Sequence, residues 1–175
     1  NRHSLQRWGR YASNITENGY DVLMIDCRGC GKSHGKPSEK GMYLDALATY
    51  TWAVQNKPAL PLVYYGRSLG TGVATHLAVQ HEPQRMVLET PYDELKNVVP
   101  KIYRWLLHIL PLRHTFKSNE RVKLISCPIL ILHGNEDQII PLESALGLKP
   151  FLKPIDQFII VPGGRHQNLT RYDQV

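Results

Sequence analysis

Cysteine is scarce in this chain, with three residues in 175. Three cysteines cannot all pair with one another, so a small scaffold held together by disulfides is excluded. Long apolar runs are missing as well, because the longest nearly apolar run, residues 124–132, contains Ser126 and Pro128. A membrane-spanning helix needs about 20 consecutive apolar residues, so this run is too short to cross a bilayer. No repeat or low-complexity tract is visible.

The composition is that of a folded domain with a basic surface. Apolar residues make up 42% of the chain and charged residues 21%, which supplies a core and excludes intrinsic disorder. The length suits one domain. The 21 lysine and arginine residues outnumber the 15 aspartate and glutamate residues, and the excess is spread along the chain. We therefore expect a solvated basic surface and no nucleic-acid partner, with attraction to an anionic membrane surface as the alternative.

Short apolar segments alternate with longer segments of helical spacing. Buried strands are predicted at Tyr20–Ile25, Leu62–Tyr65, Met86–Leu88, Ile129–Leu132 and Phe158–Val161. Helices are predicted at Met42–Gln55, Leu69–Gln80 and Leu142–Phe151. Strands that alternate with helices in this way predict an α/β fold with a mostly parallel sheet and helices on both faces.

Residues 92–121 interrupt this alternation, since they are far longer than an ordinary connection between two strands. The middle of the segment is apolar and basic, and prolines divide it into one or two predicted helices. A lid or acyl-binding cap is one interpretation, in which Trp105, Leu106 and Ile109 line a groove that leads to the active site. A crossover helix packed on the core and a helix lying on a membrane surface are the alternatives.

A G-x-S-x-G motif at residues 66–70 marks the candidate nucleophile, Ser68. The predicted strand Leu62–Tyr65 runs into the motif and a predicted helix leaves it, which is the strand–turn–helix context of a nucleophile elbow. A serine at the tip of so tight a turn needs strained backbone angles, and we expect both flanking glycines at points where neighbouring backbone leaves no room for a Cβ. The following helix directs free N–H groups at the reacting carbonyl, so the N–H of Leu69 is a candidate oxyanion donor.

A nucleophilic serine needs a base, and the base needs an acid that orients it. His166 follows the last predicted strand, and Asp137 follows the strand before it, so both lie in loops at the carboxyl edge of a parallel sheet. Ser68, Asp137 and His166 then occur in the chain order expected for a nucleophile-elbow hydrolase. His133 is an alternative base, and Glu136 is an alternative acid.

Four segments carry a resemblance to a known family: residues 26–33, residues 35–40 with Tyr43 and Asp45, residues 133–141, and residues 163–166. Their order and spacing resemble those of the α/β-hydrolase superfamily over nearly the whole chain. They are most similar to the branch that contains protein depalmitoylases and monoacylglycerol-type lipases. Arg165 departs from the family, in which a small residue usually precedes the histidine.

The resemblance implies a serine hydrolase that cleaves an ester, thioester or amide bond through an acyl-enzyme intermediate. Ser68 is the expected nucleophile, His166 the base and Asp137 the acid. The N–H of Leu69 supplies one oxyanion contact, and the turn that ends at Asn1 is a candidate for the second. The expected partner is a small-molecule or lipid acyl substrate, with peripheral membrane contact as an option and the oligomeric state undetermined.

Three other functions compete with this one. An acyltransferase would use the same residues, and a binding module with the hydrolase fold would not use them for chemistry. The C-x-x-C pair Cys27 and Cys30 would suit a redox or metal protein, but both cysteines fall where the family usually has aromatic residues. We therefore expect no metal and no organic cofactor.

The family's strand order places one more strand between the segments Tyr20–Ile25 and Leu62–Tyr65. That strand should precede Asn1, so we expect the N-terminal strands of the fold to lie outside these residues. The chain is then part of a longer protein, or another segment fills the gap. With the gap open, the two segments should lie about 9–10 Å apart, twice the usual spacing of neighbouring strands.

Overall fold

The structure is a computed structural model that describes residues 5–99 and 114–169, with the backbone alone at residues 5–8, 10 and 11. The chain divides into two compact units, Asn1–Leu60 and Pro61–Val175. Across the described ranges, no helix combines the length and the apolar character that crossing a membrane requires.

The first unit contains two helices, α1 at Leu5–Glu17 and α2 at Glu39–Asn56. Helix α2 begins three residues before the predicted start at Met42, because Ser38 caps it: the Gly41 N–H donates to Ser38 Oγ at 3.1 Å. A serine at this position accepts one of the N–H groups that the first turn leaves without a carbonyl partner. The predicted helix is therefore confirmed with an earlier start.

The predicted strand Tyr20–Ile25 is not formed. Residues 20–27 have no regular secondary structure, and the side chains of Tyr20, Leu23 and Ile25 are exposed. A strand exists only through ladder hydrogen bonds to a neighbour, and no strand in the described ranges pairs with this segment. The apolar run alone was therefore not enough, and the expected 9–10 Å spacing to the next strand stays a prediction.

The second unit is built on a four-stranded sheet in the order β1-β2-β3-β4. The strands are β1 at Val63–Arg67, β2 at Arg85–Glu89, β3 at Ile129–Gly134 and β4 at Gln157–Val161. All three pairings are parallel. The mostly parallel sheet predicted from the sequence is thus confirmed, and four of the five predicted strands are present within two residues of their predicted ends.

Helices connect these strands. Helix α3, Leu69–Gln80, joins β1 to β2, while α4 at Leu95–Val98 and α5 at Ser118–Val122 lie between β2 and β3. Helix α6, Leu142–Leu146, is followed by a 3₁₀ turn at Lys149–Phe151 before β4. The predicted helix Leu142–Phe151 is therefore shorter, since Gly147 ends its regular part and Pro150 has no N–H with which to continue it.

Strand side chains alternate between two apolar clusters, one on each face of the sheet. On β2, for example, Leu88 is fully buried in the first cluster while Val87 packs against the second. The first cluster contains Ala78, Met86, Leu88, Val122, Ile125, Cys127, Ile129, Ile131 and Leu148. The second contains Leu132, Val161 and Leu169. Both faces carry an apolar cluster, the second smaller and partly exposed, which explains why these strands are apolar at consecutive positions.

The two described sides of the segment 92–121, residues 92–99 and 114–121, meet at one place in the second unit. The Leu95 N–H donates to the Thr115 carbonyl at 2.9 Å, and the Asn119 N–H donates to the Asp93 carbonyl at 3.1 Å. Ser144 on α6 donates to the Asp93 carboxylate at 2.7 Å, so this base is also attached to the helix that follows β3. Residues 100–113, between the two sides of the base, are outside the described ranges.

Candidate active site

Ser68 lies at the turn between β1 and α3 with φ 51° and ψ −124°. A positive φ is uncommon for a residue with a side chain and is typical of strain held by the surrounding structure. The structure holds it from both sides, since the Ser68 N–H donates to the Glu89 carbonyl and the Ser68 carbonyl accepts from the Thr71 N–H, each at 2.9 Å. The predicted strained turn is therefore present at the predicted residue.

Only one of the two flanking glycines meets the expected steric limit. A Cβ at Gly66 would lie 2.9 Å from the Gly70 carbonyl oxygen and from Thr71 Cα, so β1 and α3 leave no room for a side chain there. A Cβ at Gly70 would meet nothing within 4 Å among the described residues. The expectation for Gly70 is wrong, because the second residue of α3 already points away from the strand.

The N–H of Leu69 lies at the start of α3, where it could donate to an oxyanion. Leu69 is the first residue of α3, and the first N–H groups of a helix have no carbonyl one turn earlier to bind. The positive end of the helix dipole also lies at this end. Asn1, predicted for the second oxyanion contact, is outside the described ranges.

Asp137 and His166 form a hydrogen-bonded pair at the carboxyl ends of β3 and β4. His166 Nδ1 lies 2.8 Å from Asp137 Oδ2. The other oxygen, Asp137 Oδ1, accepts the N–H groups of Ile139 at 2.8 Å and Ile140 at 2.9 Å. The loop after β3 therefore fixes the carboxylate through its own backbone, and the carboxylate in turn fixes the imidazole.

The pKa of Asp137 is lowered from its ordinary value. Burial of the carboxyl opposes ionisation, but the hydrogen bond with His166 and the backbone N–H groups of Ile140 and Ile139 outweigh that effect. Asp137 is therefore ionised at neutral pH, which is the state in which it can hold Nδ1–H of the imidazole.

His166 also contacts the strand that leads into Ser68. Arg67, the residue before Ser68, donates from Nη2 to the His166 carbonyl at 2.6 Å. No hydrogen bond joins Ser68 Oγ to the His166 ring among the residues that the structure describes. Such bonds are often long in free enzymes and shorten when substrate binds. The hydrogen bond between Ser68 Oγ and the His166 ring therefore stays a prediction.

The loops after β3 and β4 are in backbone contact. A Cβ at Gly134 would overlap the Gly164 carbonyl oxygen, and a Cβ at Gly164 would lie 3.0 Å from Gly134 Cα. The same Gly164 carbonyl accepts the Glu136 N–H at 2.9 Å, and the Asn135 side chain accepts the Gly163 N–H at 2.7 Å. These contacts set the distance between the two loops that carry Asp137 and His166.

The alternative acid, Glu136, points away from the imidazole. Its side chain is half exposed and pairs with Arg165 at 3.3 Å, and Arg165 is itself 68% exposed. Arg165, the departure from the family pattern, is thus neutralised at the surface by the residue beside Asp137. The geometry favours Asp137 over Glu136 as the partner of His166.

The alternative base, His133, is fully buried at the end of β3. Its Nε2 lies 3.0 Å from the Ile140 carbonyl, so this nitrogen carries the proton. Burial lowers the pKa of His133 below its ordinary value, His166 adds to the effect, and the Ile140 carbonyl with the Asp137 and Glu143 carboxylates opposes it. A neutral histidine that supports the Asp137 loop is the role that these contacts indicate.

This burial makes the stability of the protein depend on pH. The free energy of unfolding should fall as the pH drops from about 6.5 towards the lowered pKa of His133, because the unfolded chain binds a proton that the folded chain does not. His133→Gln cannot titrate but can still donate to Ile140, so its stability should fall less over the same range. Chemical denaturation at about pH 7 and about pH 5 measures this, with the exposed His34→Gln as control. Equal losses in all three proteins would contradict the prediction.

A buried ion pair that was not predicted from the sequence lies beside Ser68. Arg67 Nε lies 2.9 Å from Glu89 Oε1, with the Glu89 side chain fully buried. A glutamate that directly follows the apolar run Met86–Leu88 was the available signal, since a charge at the end of a buried strand needs a partner.

The predicted cap residues and the two cysteines of the C-x-x-C pair remain to be placed. Trp105, Leu106 and Ile109 are outside the described ranges, so their place at a groove stays a prediction. Cys27 and Cys30 are free thiols, and burial raises the pKa of Cys27. Within the described part of the chain, no three histidine, cysteine or acidic side chains are grouped as metal ligands.

Two sequence relatives and one solved structure illustrate what the chain is similar to. An uncharacterized protein of Mycobacterium tuberculosis is 36% identical over 153 residues, which are 86% of this chain and 54% of that protein. The lysophosphatidylserine lipase ABHD12 of Danio rerio is 38% identical over 143 residues, which are 71% of this chain and 37% of that protein. The chain thus spans about half or less of these curated relatives.

A Pyrococcus furiosus esterase has the same fold, with a TM-score of 0.74 at 20% identity over 96% of this chain and 71% of that one. The family model "Serine aminopeptidase, S33" matches residues 2–117, more than half of the chain and including the nucleophile elbow. The chain therefore belongs to this serine hydrolase family and has the α/β-hydrolase fold.

Proposed function

We propose that the chain carries the catalytic centre of a serine hydrolase that cleaves an ester or thioester, with an amide as the third substrate class. The observation that supports it best is the convergence of two features in the second unit. Ser68 occupies a strained strand–turn–helix elbow, and the Asp137–His166 pair lies in the loops at the same carboxyl edge of the sheet. This is the arrangement that activates a serine.

In the proposed mechanism, Ser68 Oγ attacks the substrate carbonyl while His166 Nε2 accepts the hydroxyl proton. Asp137 keeps the proton of His166 on Nδ1 and stabilises the imidazolium that forms. The oxyanion of the tetrahedral intermediate binds the Leu69 N–H and a second N–H, for which the turn at Asn1 is the candidate. His166 then protonates the leaving group. Water, activated by the same histidine, hydrolyses the acyl-enzyme and regenerates Ser68.

The proposed substrate is a fatty acyl ester or thioester. The relatives named as lysophosphatidylserine lipases support a lipid substrate, whereas the family name also includes peptide-bond cleavage. The two described ends of residues 92–121 meet at one base beside α6, as expected of an insertion. We propose that they form the acyl-binding cap and that Trp105, Leu106 and Ile109 contact the chain of the substrate.

Two assays test this function in sequence. A fluorophosphonate probe should label Ser68, since only an activated serine reacts with it. A non-catalytic binding module would leave the serine unlabelled. Hydrolysis in the presence of an added alcohol or amine should release mainly free acid, whereas an acyltransferase would transfer the acyl group instead.

The cap should make the reaction sensitive to acyl length. In a series of esters from acetyl to octanoyl, kcat/KM should rise with length, because each buried methylene contributes about 0.8 kcal/mol. The triple variant Trp105→Ala, Leu106→Ala, Ile109→Ala should flatten this rise while acetyl ester hydrolysis changes little. Trp52→Ala, which removes an exposed tryptophan on α2, is the matched control. An unchanged dependence on length in the triple variant would show that these residues do not contact the acyl chain.

A further inference from the structure

A buried ion pair lies at the carboxyl ends of the two strands next to the nucleophile. Arg67 ends β1, Glu89 ends β2, and the two residues are in register in the parallel ladder. Their side chains are 10% and 0% exposed, with Arg67 Nε 2.9 Å from Glu89 Oε1. The Tyr65 hydroxyl donates to the second oxygen of Glu89, Oε2. Between Arg67 Nε and Glu89 Oε1 the contact is one of charge, since these two atoms are not hydrogen-bonded to each other.

The pair is attached to the residues of both the proposed nucleophile and the proposed base. Arg67 Nη2 donates to the His166 carbonyl at 2.6 Å, while the Ser68 N–H donates to the Glu89 carbonyl at 2.9 Å. A contact of this kind, between a guanidinium and an acceptor, is shorter and stronger than a neutral one. It joins the end of β1 to the loop after β4, although β1 and β4 are the outer strands of the described sheet.

Stability alone explains this pair poorly. Desolvation of two charges cancels most of their attraction, so replacing a buried pair with uncharged groups of similar size is often neutral for folding. Positioning explains it better, since a misplacement of about 1 Å at an active site can cost about 100-fold in rate. A buried cation paired with Glu89 by charge, which donates to the His166 carbonyl, is well suited to fixing the backbone of the histidine loop.

We propose that Arg67 is a positioning residue, which holds the backbone of His166 at the nucleophile turn, and that Glu89 and Tyr65 fix the orientation of its guanidinium. The proposal rests on the proposed serine hydrolase function. It assigns to the first variable position of the G-x-S-x-G motif a role in the geometry of the base. Arg67 itself need not touch the substrate.

The double variant Arg67→Met, Glu89→Gln tests the role without leaving a buried charge unpaired. The glutamine side chain introduced by the second substitution can still accept from Tyr65. With a short-chain ester, kcat should fall by about 10–100-fold while KM changes by less than about threefold. The melting temperature should remain close to that of the wild type, and fluorophosphonate should label Ser68 more slowly in the same proportion.

Arg67→Lys supplies the second variant, should the double variant be unstable. Lysine keeps the positive charge against Glu89 but cannot bind both Glu89 and the His166 carbonyl with a rigid planar group. It should therefore restore part of the kcat, with a remaining loss of about 5–10-fold. Arg165→Gln is the control, because it removes an exposed arginine–glutamate pair directly beside His166 and should change kcat by less than about twofold.

The outcomes separate this inference from the proposed function. Wild-type kcat in both Arg67 variants, with Ser68 still labelled, would overturn the positioning role and leave the hydrolase function standing. A loss that appears only as a raised KM would overturn it too, because it would place Arg67 in substrate binding. An unlabelled Ser68 in the wild-type protein would overturn the proposed function and the positioning role together.

Discussion

Ser68→Ala should lower kcat for ester hydrolysis by about 10⁴–10⁶-fold and abolish labelling by fluorophosphonate. The hydroxyl is the atom proposed to form the acyl-enzyme, and alanine leaves the carbonyl facing the oxyanion donors with nothing to attack it except water. Steady-state rates with a short-chain ester measure the loss. The exposed Ser126, between α5 and β3, provides a control, since Ser126→Ala should keep the wild-type rate. A drop of only a few-fold would move the nucleophile elsewhere.

Ser68→Gly should distinguish the loss of the nucleophile from damage to the turn. The backbone of Ser68 has φ 51°, which glycine adopts without the steric cost that a Cβ brings. The variant should be as inactive as Ser68→Ala and more stable than it, within the range of about 1–3 kcal/mol that one strained residue stores. Thermal and chemical denaturation of the two variants compare them. An alanine variant as stable as the glycine variant would mean that the turn holds no strain.

Asp137→Asn should lower kcat by about 10⁴-fold, because it reverses the tautomer of the imidazole. The carbonyl oxygen of the introduced asparagine would stay on the two backbone N–H groups that Asp137 Oδ1 now accepts. Its NH₂ group would then face His166 Nδ1, which could only accept a hydrogen bond. The ring proton would move to Nε2, the nitrogen that must be free to take the proton of Ser68. The loss should appear in kcat, with folding retained.

Glu136→Gln is the matched control for this experiment. It neutralises the adjacent acid, which is half exposed and pairs with Arg165 instead of His166. Its kcat should remain within about twofold of the wild type, because an exposed ion pair contributes little. A large loss in Glu136→Gln together with a small loss in Asp137→Asn would exchange the two roles.

The sequence predicts the second unit better than the first. Four strands and α3 follow from apolar runs and helical spacing because both faces of that sheet are buried, so composition and burial agree. The run Tyr20–Ile25 is similarly apolar, but whether it forms a strand depends on a neighbouring strand with which it can pair, and composition does not specify that neighbour. The early start of α2 was readable from Ser38, whereas the end of α6 depended on how Gly147 and Pro150 interrupt the backbone hydrogen bonds.

The site divides in the same way. Ser68, Asp137 and His166 could be identified because each follows a strand at one edge of a parallel sheet, and strand ends are visible in the sequence. For the Arg67–Glu89 pair, the sequence offers only the charge of Glu89 at the end of a buried strand, and the identity of its partner depends on the register of the two strands. Which of the two adjacent carboxylates, Asp137 or Glu136, contacts His166 likewise depended on which of them the loop directs inward.

The contact between Gly134 and Gly164 has a consequence for redesign of this protein. A residue bulkier than Gly134 cannot be accepted without a matching change in the loop after β4, because the Gly164 backbone occupies the space where a Cβ of Gly134 would lie. The loops that carry Asp137 and His166 should therefore be exchanged together, as a single element.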